Sequence, residues 1–342
     1  MTNKLMKSLL FYFALILINF ATAQVSDFNT VNFSKADNSA ELNRGMSLNN
    51  LPLLVNNLTS KLHTDVEKFR ALYMWVCNNI TVDATLGNKV TSHRKKYKND
   101  SLKYIKWNTK YRKVVLKKLF LQKKTMCTGY AFLIKELCFL ADIKCEIING
   151  YARTVDTNIE KLEIANHSWN AVKLNNKWYL CDAIWASGYI DGNANYNFIT
   201  DYNDGYFLTH PVLFSKNHYP LQKKWLLKAV LINAPFVASP LVYGETFKHK
   251  VIPIAPKKMT FSIKKNNQVA FSFKSLKTIK DKNISLIYFV GINAYNFDIT
   301  NIKTKNNTTT ITTKFKHKGR FDVHLKIEND IVATYTLSVT KE

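Results

Sequence analysis

Two stretches of the N-terminal half repeat apolar residues every three to four positions, which predicts helices. The first begins at Thr64 with the pattern Thr-x-x-Glu of a capping box. Its apolar stripe comprises Val66, Phe69, Tyr73, Val76 and Ile80. The second, "CTGYAFLIKELC", starts at Cys127 and has so few polar positions that we expect a helix buried on most sides.

After this second helix the apolar pattern changes to a period of two. The segments 145–153, 167–174 and 177–185 are short, rich in aromatic and β-branched residues, and separated by polar loops. Such segments are typical of β-strands. Helices followed by a sheet predict an α+β fold for this half of the chain.

The remainder of the chain predicts strands only. Four prolines between residues 233 and 258 mark a boundary, and six segments between residues 259 and 339 alternate apolar and polar residues. This pattern indicates a small β-sandwich of immunoglobulin-like type. We therefore expect a loosely ordered, Asn- and Ser-rich lead-in at 24–60, an α+β domain at 61–235 and an all-β sandwich at 236–342.

The first 23 residues read as a secretory signal peptide. Lys4 and Lys7 precede an unbroken apolar run, and Ala21-Thr22-Ala23 forms an A-x-A cleavage site. A membrane anchor is the alternative, but the run is short for a bilayer span. We expect an exported protein, periplasmic or extracellular, with no transmembrane helix in the mature chain.

The chain is strongly basic, with a formal net charge of +25. Between His93 and Lys124, thirteen Lys or Arg residues face one acid, Asp100. Such a surface suits nucleic acid, but export argues against that partner, so an anionic cell-envelope component is the better candidate. The alternative is an ordinary solvated face, since lysine is abundant along the whole chain.

Five cysteines are an odd number for a compartment that permits disulfides, so at least one thiol is left over. Cys127 stands at the predicted start of a helix, where free amides and the helix dipole stabilise a thiolate. Gly129 permits close approach of the backbone there. Cys77 borders the first helical stripe and Cys138 lies within the second, so both are predicted to be buried structural thiols.

A hairpin predicts a base for that thiol. If Asn175-Asn176 forms a two-residue turn, Leu174 pairs with Lys177, and His167 and Asp182 share one face as diagonal neighbours. A carboxylate there would orient the imidazole. Cys181 would then point to the opposite face. A three-residue turn would separate His167 from Asp182 and leave an ordinary surface histidine and a strand aspartate.

These segments together resemble a known family. "CTGYAFLIKELC", "INGYAR" and "NHSWNAVKLNNKWYLCDAIWASGYI" resemble the transglutaminase-like superfamily, and "YFLTHPVLFSKNHYPLQKKWLL" resembles its subgroup named for the kyphoscoliosis peptidase. The resemblance covers about residues 64–227. It implies a papain-like core in which the helix bearing the cysteine packs on an antiparallel sheet, with Cys127 as nucleophile, His167 as base and Asp182 as orienting group.

The chain departs from the family pattern at two places. Trp185 is followed by Ala186-Ser187-Gly188, where the family often has glycine directly, and Val82 replaces a common tyrosine. Both differences concern the shape of a substrate cleft and leave the triad unchanged.

Acyl transfer also needs donors for an oxyanion. The Cys127 amide is one candidate and the Gln122 side chain another, although Gln122 also fits an ordinary surface residue. The indole N–H of Trp75 or Trp107 is a further alternative. Trp169 and Trp185 are predicted to line or underpin the cleft, and packing explains them equally well.

The sequence has no Cys-x-x-Cys, no His-Glu-x-x-His and no phosphate-binding glycine loop, so we expect neither a metal nor a cofactor. The predicted function is an exported thiol enzyme that acts on a protein or peptide amide through a thioester. Water as acceptor gives a peptidase or amidase, and an amine gives a transglutaminase-type crosslinker. The alternative is a catalytically silent envelope-binding scaffold that retains the fold.

Overall fold

The computed structural model describes residues 27–155, 161–162, 164–191, 197–227, 236–277, 279 and 283–341. The predicted signal peptide, residues 1–23, lies outside this part of the chain. Among the described residues, no helix has the length and apolar character needed to cross a membrane.

Three helices open the described chain: α1 (Ser34–Leu42), α2 (Leu51–Thr59) and α3 (Asp65–Asn79). The predicted capping box is confirmed, because the Glu67 amide donates to Thr64 Oγ1 and Glu67 Oε2 accepts from the Thr64 amide at 3.0 Å. The buried residues of α3 include the whole predicted stripe up to Val76.

The expectation of a loosely ordered lead-in was wrong for residues 27–60. Helices α1 and α2 bury Ala36, Ala40, Leu54 and Leu58 in the same core as α3. Local signals for α2 were present, since Asn50 accepts a hydrogen bond as N-cap and a proline occupies the first turn. Packing against α3 supplies the stabilisation that these weakly periodic helices lack on their own.

The basic stretch forms two helices, α4 (Ala84–Lys96) and α5 (Ser101–Gln122), which we call the basic hairpin. A short parallel pair, β1 (Thr81–Val82) and β2 (Lys124–Thr125), brackets it. Its inner side is apolar and packs in one cluster with Cys127; the cluster contains Leu86, Val90, Tyr104, Tyr111, Val115 and Met126. The basic hairpin therefore forms one wall beside the thiol.

Helix α6 (Cys127–Leu140) packs on a four-stranded antiparallel sheet. Its strands are β3 (Cys145–Ala152), β4 (His167–Leu174), β5 (Lys177–Cys181) and β8 (His218–Pro220), in the order β5-β4-β3-β8. Leu174 pairs with Lys177, and Asn175 and Asn176 have φ of 48° and 60°. The predicted two-residue turn is thus confirmed.

The third predicted strand is shorter than its pattern suggested. Strand β5 ends at Cys181, and residues predicted to continue it form helix α7 (Ala183–Ser187). Asp182 caps α7, because its Oδ1 accepts from the amides of Ile184 and Trp185 at 3.1 and 3.2 Å. N-cap chemistry therefore overrides the alternating pattern at this point. The hairpin β6 (Gly188–Asp191) and β7 (Asn197–Thr200) and helix α8 (Pro211–Phe214) follow.

The C-terminal part begins with β9 (Leu241–Val242) and helix α9 (Gly244–Lys248). Nine further strands follow: β10 (Val251–Ala255), β11 (Thr260–Lys264), β12 (Gln268–Ser275), β13 (Ile284–Val290), β14 (Asn293–Asn296), β15 (Ile299–Lys305), β16 (Thr308–Lys314), β17 (Gly319–Ile327) and β18 (Asp330–Thr340). One sheet of the described residues has the order β10-β12-β16-β15 and the other β11-β18-β17-β13-β14, with β9 beside β18.

All six predicted segments of this part are strands, and residues of both sheets share one apolar core that includes Phe271, Phe273, Leu325 and Tyr335. Strand β14 lacked an apolar signal because all four of its residues are exposed. The fold is therefore α+β followed by a β-sandwich. Phe247 of α9 stacks on Tyr206 at 4.3 Å, so the two parts are in contact.

Candidate active site

Cys127 is the first residue of helix α6 and its side chain is buried, with 8% of the residue exposed. The amides of a first helical turn have no partner within the helix and carry the positive end of its dipole. The helix start also packs closely, because a Cβ on Gly129 would lie 1.9 Å from Thr125 Oγ1. A glycine at this position thus lets α6 begin directly against β2.

His167 opens strand β4, and Asp182 follows the last residue of strand β5. Their side chains meet, with His167 Nε2 2.6 Å from Asp182 Oδ2. The even turn at Asn175-Asn176 brings this about, although the ladder itself stops at Asn170 and Cys181. The two side chains therefore meet on one face of the hairpin, as a turn of even length predicts. Asp182 itself stands at a helix N-terminus rather than within a strand.

His167 lies close enough to Cys127 to lower the thiol pKa through hydrogen bonding and charge, and the backbone of Ser168 acts in the same direction. Because His167 Nε2 is directed at Asp182, Nδ1 is the nitrogen that remains for the thiol. The imidazole of His167 thus stands between the thiol and the carboxylate.

The three groups shift one another's pKa. Burial raises the pKa of Cys127, but the hydrogen bond and charge of His167 outweigh burial and hold the thiol pKa below its ordinary value. Burial lowers the pKa of His167, but Asp182 outweighs burial and raises it to about 10. The pKa of Asp182 lies well below its usual range despite burial, because both His167 and His218 stabilise its charge. All three shifts act in one direction, toward a thiolate beside an imidazolium.

The other four cysteines lie in a different setting. All five thiols are free and buried. Burial raises the pKa of Cys77, Cys138 and Cys181; at Cys77 a hydrogen bond from Ser187 and the charge of Arg70 act against burial but do not outweigh it. Cys181 donates toward the Asn170 carbonyl at 3.8 Å, on the side of the sheet that packs on α6. These contacts fit the structural role predicted for Cys77, Cys138 and Cys181.

Of the three side chains considered as oxyanion donors, Trp107 packs against the cluster that contains Cys127. Gln122 is exposed at the end of α5. Trp75 is committed elsewhere, because its Nε1 donates to the Asn43 carbonyl at 2.7 Å. Trp107 stacks between His93 and Tyr111, with ring centres 3.8 and 4.9 Å away. In the described residues, no hydrogen bond joins these three side chains to Cys127.

The two tryptophans of the hairpin take different places. Trp169 is 2% exposed and packs beneath His167 and against Phe214, so it underpins the site. Trp185 is half-buried, with its ring centre 5.0 Å from that of His167. Trp185 is thus the one of the pair that a substrate is able to reach.

The structure adds one residue for which no role was predicted. His218, the first residue of β8, directs Nε2 at Asp182 Oδ2 at 3.0 Å. The segment "KNHYP" around it belongs to the stretch that carries the family resemblance, and this was its only sequence signal. Because His218 and Asp182 lie far apart along the chain, no local sequence pattern predicts their contact.

His167, Asp182 and His218 also satisfy the spacing of a metal site, since one atom from each lies within 4.8 Å of the others. However, both Nε2 atoms are already hydrogen-bonded to the same carboxylate oxygen, at 2.6 and 3.0 Å. We therefore interpret the group as a buried hydrogen-bond network.

Comparisons with known proteins match the part of the chain that contains these residues. Residues 53–183, which include Cys127, His167 and Asp182, match the model of the transglutaminase-like superfamily. The human kyphoscoliosis peptidase is 34% identical over 178 residues, which cover 51% of this chain and 24% of that protein. Hillarin of Drosophila melanogaster is 27% identical over 210 residues, covering 54% and 22%.

The chain thus spans about a quarter of the length of these relatives. A solved structure described as a crystal structure of a TGase is 16% identical, with a TM-score of 0.28 over 60% of this chain and 43% of the other.

Proposed function

Because residues 53–183 are a domain of the transglutaminase-like superfamily, we propose that this protein is an exported thiol enzyme that transfers the acyl group of a protein or peptide amide. Cys127 is the nucleophile, His167 the proton carrier and Asp182 the group that orients His167. The triad resides in the domain that matches the family, whereas the C-terminal sandwich has no cysteine.

One observation carries this proposal: a buried thiol has its pKa lowered by an imidazole that is itself held by a carboxylate. His167 Nε2 lies 2.6 Å from Asp182 Oδ2, and His167 lowers the pKa of Cys127 although the thiol is buried. A nucleophile, a base and an orienting group in this order are the parts that thioester chemistry requires.

The proposed reaction has two halves. The Cys127 thiolate attacks the amide carbonyl carbon and forms a C–S bond, and the electron pair moves to the carbonyl oxygen. When that oxyanion collapses, the C–N bond breaks and the leaving amine takes the proton of the His167 imidazolium. Neutral His167 then removes a proton from the second nucleophile, which attacks the thioester and releases Cys127 as thiolate.

The oxyanion needs donors near the sulfur. The Cys127 amide is the first of helix α6 and is free of an intrahelical partner. We assign it as one donor, aided by the positive end of the helix dipole. Since Gln122 is exposed and Trp75 is bonded elsewhere, the second donor comes from another group.

Hydrolysis is the preferred outcome of the second half-reaction. The relatives that are 34% and 33% identical are named peptidases. An amine acceptor would instead make the protein a crosslinker, and the triad serves both reactions equally.

The basic hairpin supports an anionic partner in the cell envelope. Along α5, five exposed lysines follow one another at helical spacing: Lys103, Lys106, Lys110, Lys113 and Lys117. The opposite side of α5 packs in the cluster that contains Cys127. A polyanion bound to the lysines would therefore lie beside the wall of the site. The signal peptide predicted at 1–23 supports a location in the periplasm or outside the cell.

The test supplies a peptide as acyl donor and offers water and a primary amine as the two acyl acceptors. The purified mature protein is incubated with glutamine-containing and amide-blocked peptides, with and without a labelled primary amine, and products are identified by mass spectrometry. Hydrolysis or amine incorporation that disappears in Cys127→Ser supports the proposal.

A matched Cys138→Ser variant controls for the loss of a buried thiol. If the folded wild-type protein neither hydrolyses nor incorporates and Cys127 resists alkylation, the enzyme proposal fails. The protein would then fit the silent envelope-binding scaffold.

A further inference from the structure

Asp182 has a second histidine. Its Oδ2 accepts from His167 Nε2 at 2.6 Å and from His218 Nε2 at 3.0 Å. Its Oδ1 accepts from two amides at the start of α7, those of Ile184 and Trp185. The carboxylate is thus bonded on both oxygens, and the triad mechanism uses only one of these four donors.

His218 is enclosed on all sides and is 1% exposed. The Phe214 ring stacks on it at 3.9 Å, and the rings of Trp185 and Trp169 lie at 4.5 and 5.0 Å. Nδ1 lies 2.7 Å from Asn217 Oδ1; for a neutral ring that keeps its N–H on Nε2, the Asn217 amide turns by 180° and presents its NH2 to Nδ1, which fixes the rotation of the ring. His218 is therefore held with Nε2 aimed at the carboxylate.

His218 stays neutral at physiological pH. Burial lowers its pKa to about 4, although Asp182 acts in the opposite direction. A neutral imidazole bonded to a carboxylate donates its single N–H to it. His218 thus brings a donor to Asp182 without adding a charge.

The other titratable groups around Asp182 are also neutral. They come from α3, α6, β5 and the segment before α8, and burial raises the pKa of each: Tyr73, Cys77, Tyr130, Cys181 and Tyr206. Among the described residues, the groups around Asp182 that are able to carry a charge are therefore Cys127 and His167. Asp182 raises the pKa of His167 and so holds its imidazolium proton strongly.

We infer that His218 is a positioning residue that shares Asp182 Oδ2 with His167 and so limits how strongly Asp182 holds the His167 proton. The inference rests on the proposed function, in which His167 must release this proton to the leaving amine. The N–H of His218 places the positive end of a dipole beside the carboxylate, and this offsets part of its field at His167. A buried histidine that only filled space would have no such effect.

The test measures the His167 proton directly by NMR titration of its ring, in protein carrying Cys127→Ala so that the thiol does not titrate in parallel. In this background His218→Phe removes the donor and keeps a ring against Phe214. We expect the His167 pKa to rise by on the order of half a unit. His218→Gln retains a neutral donor and should bring the value back toward that of the parent.

A matched control exists in the other part of the molecule. His249 is 4% exposed and its Nε2 lies 2.8 Å from Asp330 Oδ2, so His249→Phe also breaks a buried His–Asp contact. It should lower the melting temperature without moving the His167 pKa. Where His218→Phe does not fold, His218→Met removes the donor in a smaller side chain.

An unchanged or lowered His167 pKa in a folded variant that lacks the donor overturns the inference. The readout needs no turnover, so it is separate from the test of the enzyme proposal. If the protein shows no acyl transfer but the His167 pKa is raised in the variant, the proposed function fails. The inference that His218 and His167 share the Asp182 carboxylate then still holds.

Discussion

Helix α6 carries one buried thiol at its first residue and another near its last turn. Cys127 is 8% exposed and Cys138 0%. Burial raises the pKa of both, yet only at Cys127 is the pKa held below its ordinary value, because His167 is hydrogen-bonded to it. Cys138 has Cys145 as its neighbour, and its pKa lies well above the ordinary value.

The difference shows that burial alone does not decide the chemistry of a thiol. Both cysteines lie on one helix, in one apolar part of the molecule. One stands at the positive end of the helix dipole beside a base that a carboxylate orients, and the other has no charged partner. Helix α6 therefore places one thiol in a reactive setting at its first residue and another in a structural setting about twelve residues along the chain.

The largest expected effect concerns turnover. Cys127→Ser should reduce the rate of any hydrolysis or amine incorporation at least about a thousandfold, because a neutral hydroxyl replaces the thiolate. Cys138→Ser should leave the rate within about threefold of the wild type, provided that melting shows it folded. The distinction between the catalytic Cys127 and the structural Cys138 would fail if Cys127→Ser kept its activity. It would also fail if a folded Cys138→Ser variant lost activity.

Alkylation tests the same contrast without a substrate. Iodoacetamide at pH 7 under non-reducing conditions should modify Cys127 at least about a hundredfold faster than Cys138, because only thiolates react. His167→Ala should slow the modification of Cys127 about tenfold or more, since each unit of pKa changes the thiolate fraction tenfold. Peptide mapping by mass spectrometry gives both rates. Faster modification of any other cysteine contradicts the assignment.

The dependence of stability on pH tests the charge next to α6. The folded-state pKa of His167 is raised to about 10 from 6.5, so protonated His167 stabilises the fold. This contribution is complete below pH 6.5 and is lost as the pH rises toward 10. In Cys127→Ala, we expect the free energy of unfolding to fall by about 1–3 kcal/mol between pH 6.5 and 9.

Adding His167→Gln to this background should abolish that pH-dependent fall in stability. Urea unfolding at several pH values measures it. An equal slope with and without His167 would mean that its imidazole is not charged in the folded state.

The last comparison concerns how the reactive end of α6 is built. A Cβ on Gly129 would lie 1.9 Å from Thr125 Oγ1, so Gly129→Ala should destabilise the fold by about 1–3 kcal/mol. Gly87 in α4 has no atom within 4 Å of an added Cβ, so Gly87→Ala should be neutral or stabilising by up to about 1 kcal/mol. Thermal melting of both variants compares them, and equal effects would contradict the close approach at Thr125.

Several of the elements that position the site were predicted from local sequence rules. The capping box at Thr64, the helix start at Cys127 and the turn at Asn175-Asn176 each depend on a few adjacent residues, and the structure has all three. The lead-in at 27–60 was misjudged because its helices have weak patterns of their own and are stabilised by burying Ala36 and Leu54 against α3.

The sequence by itself determined the α+β order, the sandwich strands and the parity that directs His167 and Asp182 to one face, because periods of 3.6 and 2 and turn chemistry are local properties. Tertiary structure alone decided that His218 shares the carboxylate of Asp182. It also decided that the basic hairpin packs against the thiol and that Gln122 faces solvent. Hydrogen bonds between residues far apart in the chain depend on how helices and sheet pack, and no local pattern encodes that packing.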